Sequence, residues 1–188
     1  KQPFNNDIFC GDTGMIKEFD DKIFMGVIDV LGHGREADQI AMICDDYFKK
    51  KYQNDLKEIM EGLHQTIKGT RGAMAGLCLL DIPTGELQCC VIGNISVRLF
   101  GSGGKRFVPK DGIVGYKIST PQIETHLLSR NDLLLLYTDG VKTYFTIEDY
   151  PQILTHDTKT ITTTIVREFG KKEDDAFCMA IKYVKDSK

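Results

Sequence analysis

Apolar residues recur at helical spacing in two stretches of the chain and gather into short runs elsewhere. From Arg35 to about Gln53, the residues Ala37, Ile40, Ala41, Cys44, Tyr47 and Phe48 paint one face of a helix. A second helix follows Asp55, a residue suited to capping it, with Leu56, Ile59, Met60, Leu63 and Ile67 at the same spacing. Gly69 and Gly72 punctuate its end. Lys22–Asp29, Gly76–Asp81, Leu87–Ile92 and Ser96–Phe100 are apolar runs of strand length bounded by turn residues. PTGE at 83–86 and GSGG at 101–104 read as hairpin turns, and the second lacks the Lys and Ser/Thr of a phosphate-cradling loop. Gln122–Leu128 and Leu133–Tyr137 read as a further hairpin joined by SRND. Thr158–Phe169 reads as a helix closed by Gly170, against the β-branched run TITTTIV, and Ala176–Val184 as the last strand. Hairpins in place of regular β-α-β alternation give an α+β fold, with helices packed on antiparallel sheets.

Composition narrows the class. A chain of 188 residues suits one domain, 1–188, with a core that needs no disulfide or metal staple. Hydrophobic residues at 41% and charged residues at 27% exclude wholesale disorder. Lys plus Arg is 24 against 27 Asp plus Glu, a net charge of −3, so the basic footprint of a nucleic-acid binder is missing. No apolar run approaches the roughly 18 residues that a membrane span needs. The six cysteines, Cys10, Cys44, Cys78, Cys89, Cys90 and Cys178, form no C-x-x-C, and most lie in apolar stretches. Cys89 and Cys90 are neighbours on one strand and face opposite ways, so they do not share a metal. Reduced core cysteines in the cytoplasm are the expectation.

The chemistry lies at the ends of the apolar strands. Asp12 sits in CGDTG, Asp29 closes KIFMGVID before VLGHG, Asp139 closes LLLLYTD before Gly140, and Asp174 and Asp175 open the final strand. Any one of these suits a turn or a cap. Strand ends converge at one sheet edge, however, and carboxylates gathered there repel one another unless cations bind. Hard oxygen ligands suit Mg²⁺ or Mn²⁺, and two such ions about 3.5–4 Å apart make a hydrolytic centre.

The ordered set GD (11–12), DVLGHG (29–34), RGAMAG (71–76), GN (93–94), TDG (138–140) and DDA (174–176) resembles the metal-dependent protein phosphatases of type 2C. It is most similar to the compact bacterial SpoIIE-like branch, and within that branch to the short stand-alone phosphatases that act on stressosome proteins. The resemblance runs from about Gly11 to Ile181. It implies a four-layer αββα sandwich of two antiparallel sheets flanked by helices, with two Mn²⁺ or Mg²⁺ ions at one edge. Carried over by position, Asp29 bridges both metals and the Val30 carbonyl binds one of them. Asp12 holds the metal that shares Val30, and Asp139 and Asp174 hold the other. A metal-activated water then attacks phosphoserine or phosphothreonine, with no phosphoenzyme. The implied substrates are phosphorylated regulatory proteins of a bacterial stress response, in particular stressosome components.

Three departures from the family pattern stand out. Val30 replaces a common glycine, Phe177 replaces a common Thr after the final acidic pair, and no arginine accompanies the first motif, which leaves phosphate affinity to the metals. His33 is read either as a general acid or as a residue that orients the loop; Asp175 competes with Asp174 for the ligand position, and the family pattern favours Asp174 with Asp175 as support. Arg71 is read equally as a substrate contact or a helix cap. The chain shows no sensor, membrane or dimerisation segment of its own, which places substrate choice on the domain surface and favours a monomer. Two alternatives stay open, a catalytically silent phosphatase-fold binding module that regulates a signalling partner, and a hydrolase of small phosphate esters.

Overall fold

The computed structural model describes residues 1–142 and 155–184. Two antiparallel sheets lie face to face between helices. The first takes β1 (Asp12–Phe19), β2 (Lys22–Val30), β3 (Ala73–Asp81), β4 (Glu86–Ile92) and β9 (Glu124–Leu127), in that order. The second takes β11 (Cys178–Lys182), β10 (Leu133–Tyr137), β5 (Ser96–Phe100) and β6 (Lys105–Phe107), in that order. A small ribbon, β7 (Gly112–Ile113) with β8 (Lys117–Ile118), stands apart. Helices α1 (Arg35–Lys51) and α2 (Leu56–Thr66) cover the first sheet, and α3 (Thr158–Phe169) covers the second. The expected four-layer αββα sandwich is the architecture found.

Period-two alternation sorts the strand residues into these layers. Along β2, Phe24, Ile28 and Val30 join α1 and α2 in an outer core, whereas Met25 and Val27 face the second sheet. Asp29 falls on the same side of the strand as Met25 and Val27. It therefore stands where the apolar layer between the sheets ends. Gly26 points the other way, and a Cβ there would meet the Phe48 ring at 2.7 Å, so its bareness lets α1 lie close on β2.

Local chemistry explains the ends of the elements. Glu36 and Asp38 in the first turn of α1, and Lys49, Lys50 and Lys51 in its last, suit the helix dipole. The Asp55 side chain accepts the Lys57 N–H as cap of α2, and the Asp157 side chain accepts the Thr160 N–H as cap of α3. The β-branched run is helical because Ile161, Ile165 and Phe169 bury one stripe against the second sheet. Asp20 and Asp21, at φ 42° and 59°, form the two-residue turn between β1 and β2. All six cysteines are free and buried, as expected. No helix among the described residues is long and apolar enough to cross a membrane.

One expected hairpin does not form. β9 pairs with β4 in the first sheet, while β10 pairs with β5 and β11 in the second. All five residues of β10 are buried, so it needs strands on both sides and cover on both faces; β9 is half exposed and suits an edge. SRND is thus a corner between sheets. Asp132, almost fully buried, locks it by accepting the Ser129 and Ser102 N–H groups. The strand Asp12–Phe19 was not among the expected runs, because Gly14, Lys17 and Glu18 interrupt its apolar pattern at the sheet edge.

Candidate metal centre

Sheet register brings the first two carboxylates together. Asp12 and Asp29 are direct cross-strand partners on β1 and β2, so their side chains share one face about 5 Å apart at Cβ. Val30 follows on β2, and its N–H donates to the Gly11 carbonyl. The other two carboxylates come from loops at the end of the second sheet. Thr138 and Asp139 continue β10, and Asp174 and Asp175 precede β11.

Hydrogen bonds tie the halves. The Thr138 hydroxyl, fully buried, donates to Asp12 Oδ2 at 2.6 Å and accepts the Phe177 N–H at 3.0 Å. Asn94 Nδ2, in the turn between β4 and β5, donates to Asp139 Oδ2 at 2.8 Å. The Asp29 carboxyl lies near enough to Asp139 to be raised by it. Lys171 Nζ stands 3.9 Å from Asp174 Oδ2.

The cluster is electrostatically strained. Burial, then repulsion from Asp12, Asp139 and Asp174, pushes the Asp29 carboxyl far above the usual carboxylate range. Asp12 is raised by burial and by Asp175, Asp174 and Asp139, against the lowering effect of the Thr138 hydroxyl. Asp174 is raised by burial and Asp139, against Lys171. Among the described residues no three His, Cys, Asp or Glu side chains are drawn into a closed metal cage. The carboxylates instead repel one another, and divalent cations offset such repulsion. The donors expected from the sequence, four carboxylates and the Val30 carbonyl, are all oxygen. That chemistry fits Mg²⁺ or Mn²⁺ and not a soft metal.

The remaining candidates take other places. Asp175, 4% exposed, accepts the Phe4 N–H at 2.7 Å and the Gly11 N–H at 2.8 Å. It clips the N-terminal segment and the Asp12 loop to the Asp174 loop. Gly140 allows the same closure, since a Cβ there would stand 1.7 Å from the Asp175 carbonyl oxygen. The His33 ring stacks on Phe4, with centroids 4.1 Å apart. Arg71 pairs with Glu36 and lies over Gly32. Phe177 packs on Gly14, which gives the unusual residue at that position a role between the two sheets. Thr138 and Asn94 had no assigned role in the sequence. Their motifs were visible, but their partners lie 126 and 45 positions away.

The family pattern described as Stage II sporulation protein E (SpoIIE) matches residues 20–183. The chain belongs to the SpoIIE family. It is 28% identical over 135 residues to the phosphoserine phosphatase RsbX of Bacillus subtilis (strain 168), across 70% of this chain and 67% of that protein. A structure solved in work on the bacterial stressosome as a modular system adapted to control secondary messenger signaling matches at TM-score 0.88 and 27% identity, over 95% of this chain and 94% of that one. RsbX in complex with magnesium matches at TM-score 0.81 and 20% identity, over 97% of this chain and 92% of that one. The PP2C phosphatase domain of SpoIIE from Bacillus subtilis matches at TM-score 0.80 and 14% identity, over 100% of this chain and 62% of that one. At those lower identities the likeness shows the fold, and the sandwich of this SpoIIE-family chain is the PP2C fold.

Proposed function

We propose that residues 1–188 act as one PP2C-type protein serine/threonine phosphatase domain that depends on Mn²⁺ or Mg²⁺ and works in the cytoplasm. The observation that carries this reading is the convergence of Asp12, Asp29, Asp139 and Asp174 from two sheets onto the mouth of the sandwich. Asp29 and Asp12 with the Val30 carbonyl form one half of the ligand set, and Asp139 and Asp174 the other. Asp12, Asp29, Asp139 and Asp174 would hold two cations, which would supply charge neutralisation and an acidified water as the attacking group.

The chain's own residues prepare that site. Thr138 fixes the rotamer of Asp12, and Asn94 that of Asp139, so each carboxylate presents a defined oxygen. Asp175 holds the two ligand loops together through backbone N–H groups. Kinship with RsbX, and likeness to a structure solved in work on the bacterial stressosome, support phosphorylated stressosome components as substrates.

The test is hydrolysis of p-nitrophenyl phosphate and of a phosphoserine protein with Mn²⁺, with EDTA, and in Asp29→Asn. Turnover that needs Mn²⁺ and is lost in the variant is the expected result. No turnover in any arm, with no Mn²⁺ binding by calorimetry, would overturn the reading in favour of a binding module.

A further inference from the structure

A cavity of about 470 Å³ opens beside Asp139 on the outer face of the second sheet. Asn94, Ser96, Arg98, Arg106, Tyr137 and Asp139 are among the residues that line it. Strand register accounts for the two arginines. Arg98 on β5 and Arg106 on β6 are direct cross-strand partners, so both side chains rise from the same face. Lys105, one position earlier on β6, points the other way and pairs with Glu124 at 3.3 Å. Arg106 makes no ion pair with any described residue, and its side chain is exposed. A cationic wall therefore stands next to the most acidic part of the molecule.

We propose that this cavity is a specificity subsite that takes a carboxylate side chain near the scissile phosphoserine, with Arg106 as the recognising group. The inference rests on the phosphatase reading and adds a substrate class to it, phosphoproteins with an acidic neighbour. Register sets the reach. Arg98 lies opposite Leu135, four residues before Asp139. At about 3.3 Å per residue that is roughly 13 Å, the span of about four residues of extended peptide. A phosphoserine at the carboxylate cluster thus places a residue two to four positions away against the arginine wall. The arginine that the first motif lacks for gripping phosphate is replaced here by cations that grip the peptide around it.

The experiment compares paired phosphoserine peptides that differ only in Glu against Gln at positions two to four on either side. Wild type, Arg106→Gln and Arg106→Glu are each measured with Mn²⁺. Wild type is expected to favour one acidic peptide by about fivefold in kcat/KM, carried in KM, as befits one solvent-facing charge pair. Arg106→Gln brings that ratio close to one, and Arg106→Glu inverts it. Equal use of Glu and Gln peptides by wild type, or a ratio that survives in both variants, overturns the proposal. A peptide with a second phosphoserine in place of Glu separates the two anions, since a gain with phosphate and none with carboxylate also overturns it. A wild type that hydrolyses neither the peptides nor p-nitrophenyl phosphate overturns the phosphatase reading and this proposal with it.

Discussion

The two halves of the carboxylate site are built by different means. Asp12 and Asp29 stand opposite each other in a continuous antiparallel ladder, and their spacing is a property of the backbone. Asp139 and Asp174 lie outside the ends of β10 and β11, and loop contacts place them: Asn94, Asp175 and the bare Gly140. The first half keeps its geometry against point changes that do not touch a ligand. The second half depends on a few hydrogen bonds and can be loosened without unfolding the sheets.

The sharpest test of this contrast is Asp29→Asn. Phosphatase activity with Mn²⁺ should fall by about 10³-fold. The same variant should raise the melting temperature in EDTA at pH 8 by about 4 °C, because a buried, repelled carboxylate is replaced by a neutral amide. Loss of activity with loss of stability would mean that the carboxylate serves the fold instead.

Thr138→Val should come next. It removes the buried donor to Asp12 and the part-buried acceptor for the Phe177 N–H, at a cost of about 1–3 kcal/mol in urea unfolding. Activity should drop about 10- to 100-fold, with weaker Mn²⁺ binding in titration calorimetry. If activity falls while Mn²⁺ affinity is unchanged, Thr138 does not act through Asp12.

pH dependence without metal reports the ladder half. Asp12 and Asp29 carry folded pKa values raised above the usual 3.8, so the folded chain holds these protons more tightly than the unfolded one. Their contribution is full below the unfolded value and is lost as pH rises towards about 9. Thermal unfolding in EDTA should therefore show a melting temperature that falls between pH 5 and pH 9. Saturating Mn²⁺, or Asp29→Asn, should flatten the fall.

Asn94→Ala should have the smallest effect. Its bond to Asp139 is exposed, so stability should stay within about 0.5 kcal/mol by urea unfolding. The Mn²⁺ concentration for half-maximal activity should rise about tenfold, since only the orientation of Asp139 is lost. An unchanged Mn²⁺ requirement would remove Asn94 from the site.

Most of the helical layer was legible in the sequence, since α1 and α2 have strong periodicity and clear caps. So were the four carboxylates, because an acidic residue ending an apolar run is a local signal. The edge strand β1 was not, since half of it faces water and its pattern is broken by glycine and charge. The hairpin expected between Gln122–Leu128 and Leu133–Tyr137 failed because short-range turn chemistry reports a reversal but not which sheet receives the next strand.

By itself, then, the sequence determined the apolar stripes, the caps, the burial of the cysteines and the order of acidic motifs, all of which rest on nearest-neighbour chemistry. Only the tertiary structure decided that β9 and β10 belong to different sheets and that Thr138 reaches Asp12. It also decided that Asp175 turns from the carboxylates to clip Phe4 and Gly11, and that Arg98 and Arg106 share a face beside Asp139. Those facts depend on strand register and on which sheet faces are buried, and both are fixed only when the whole sandwich closes.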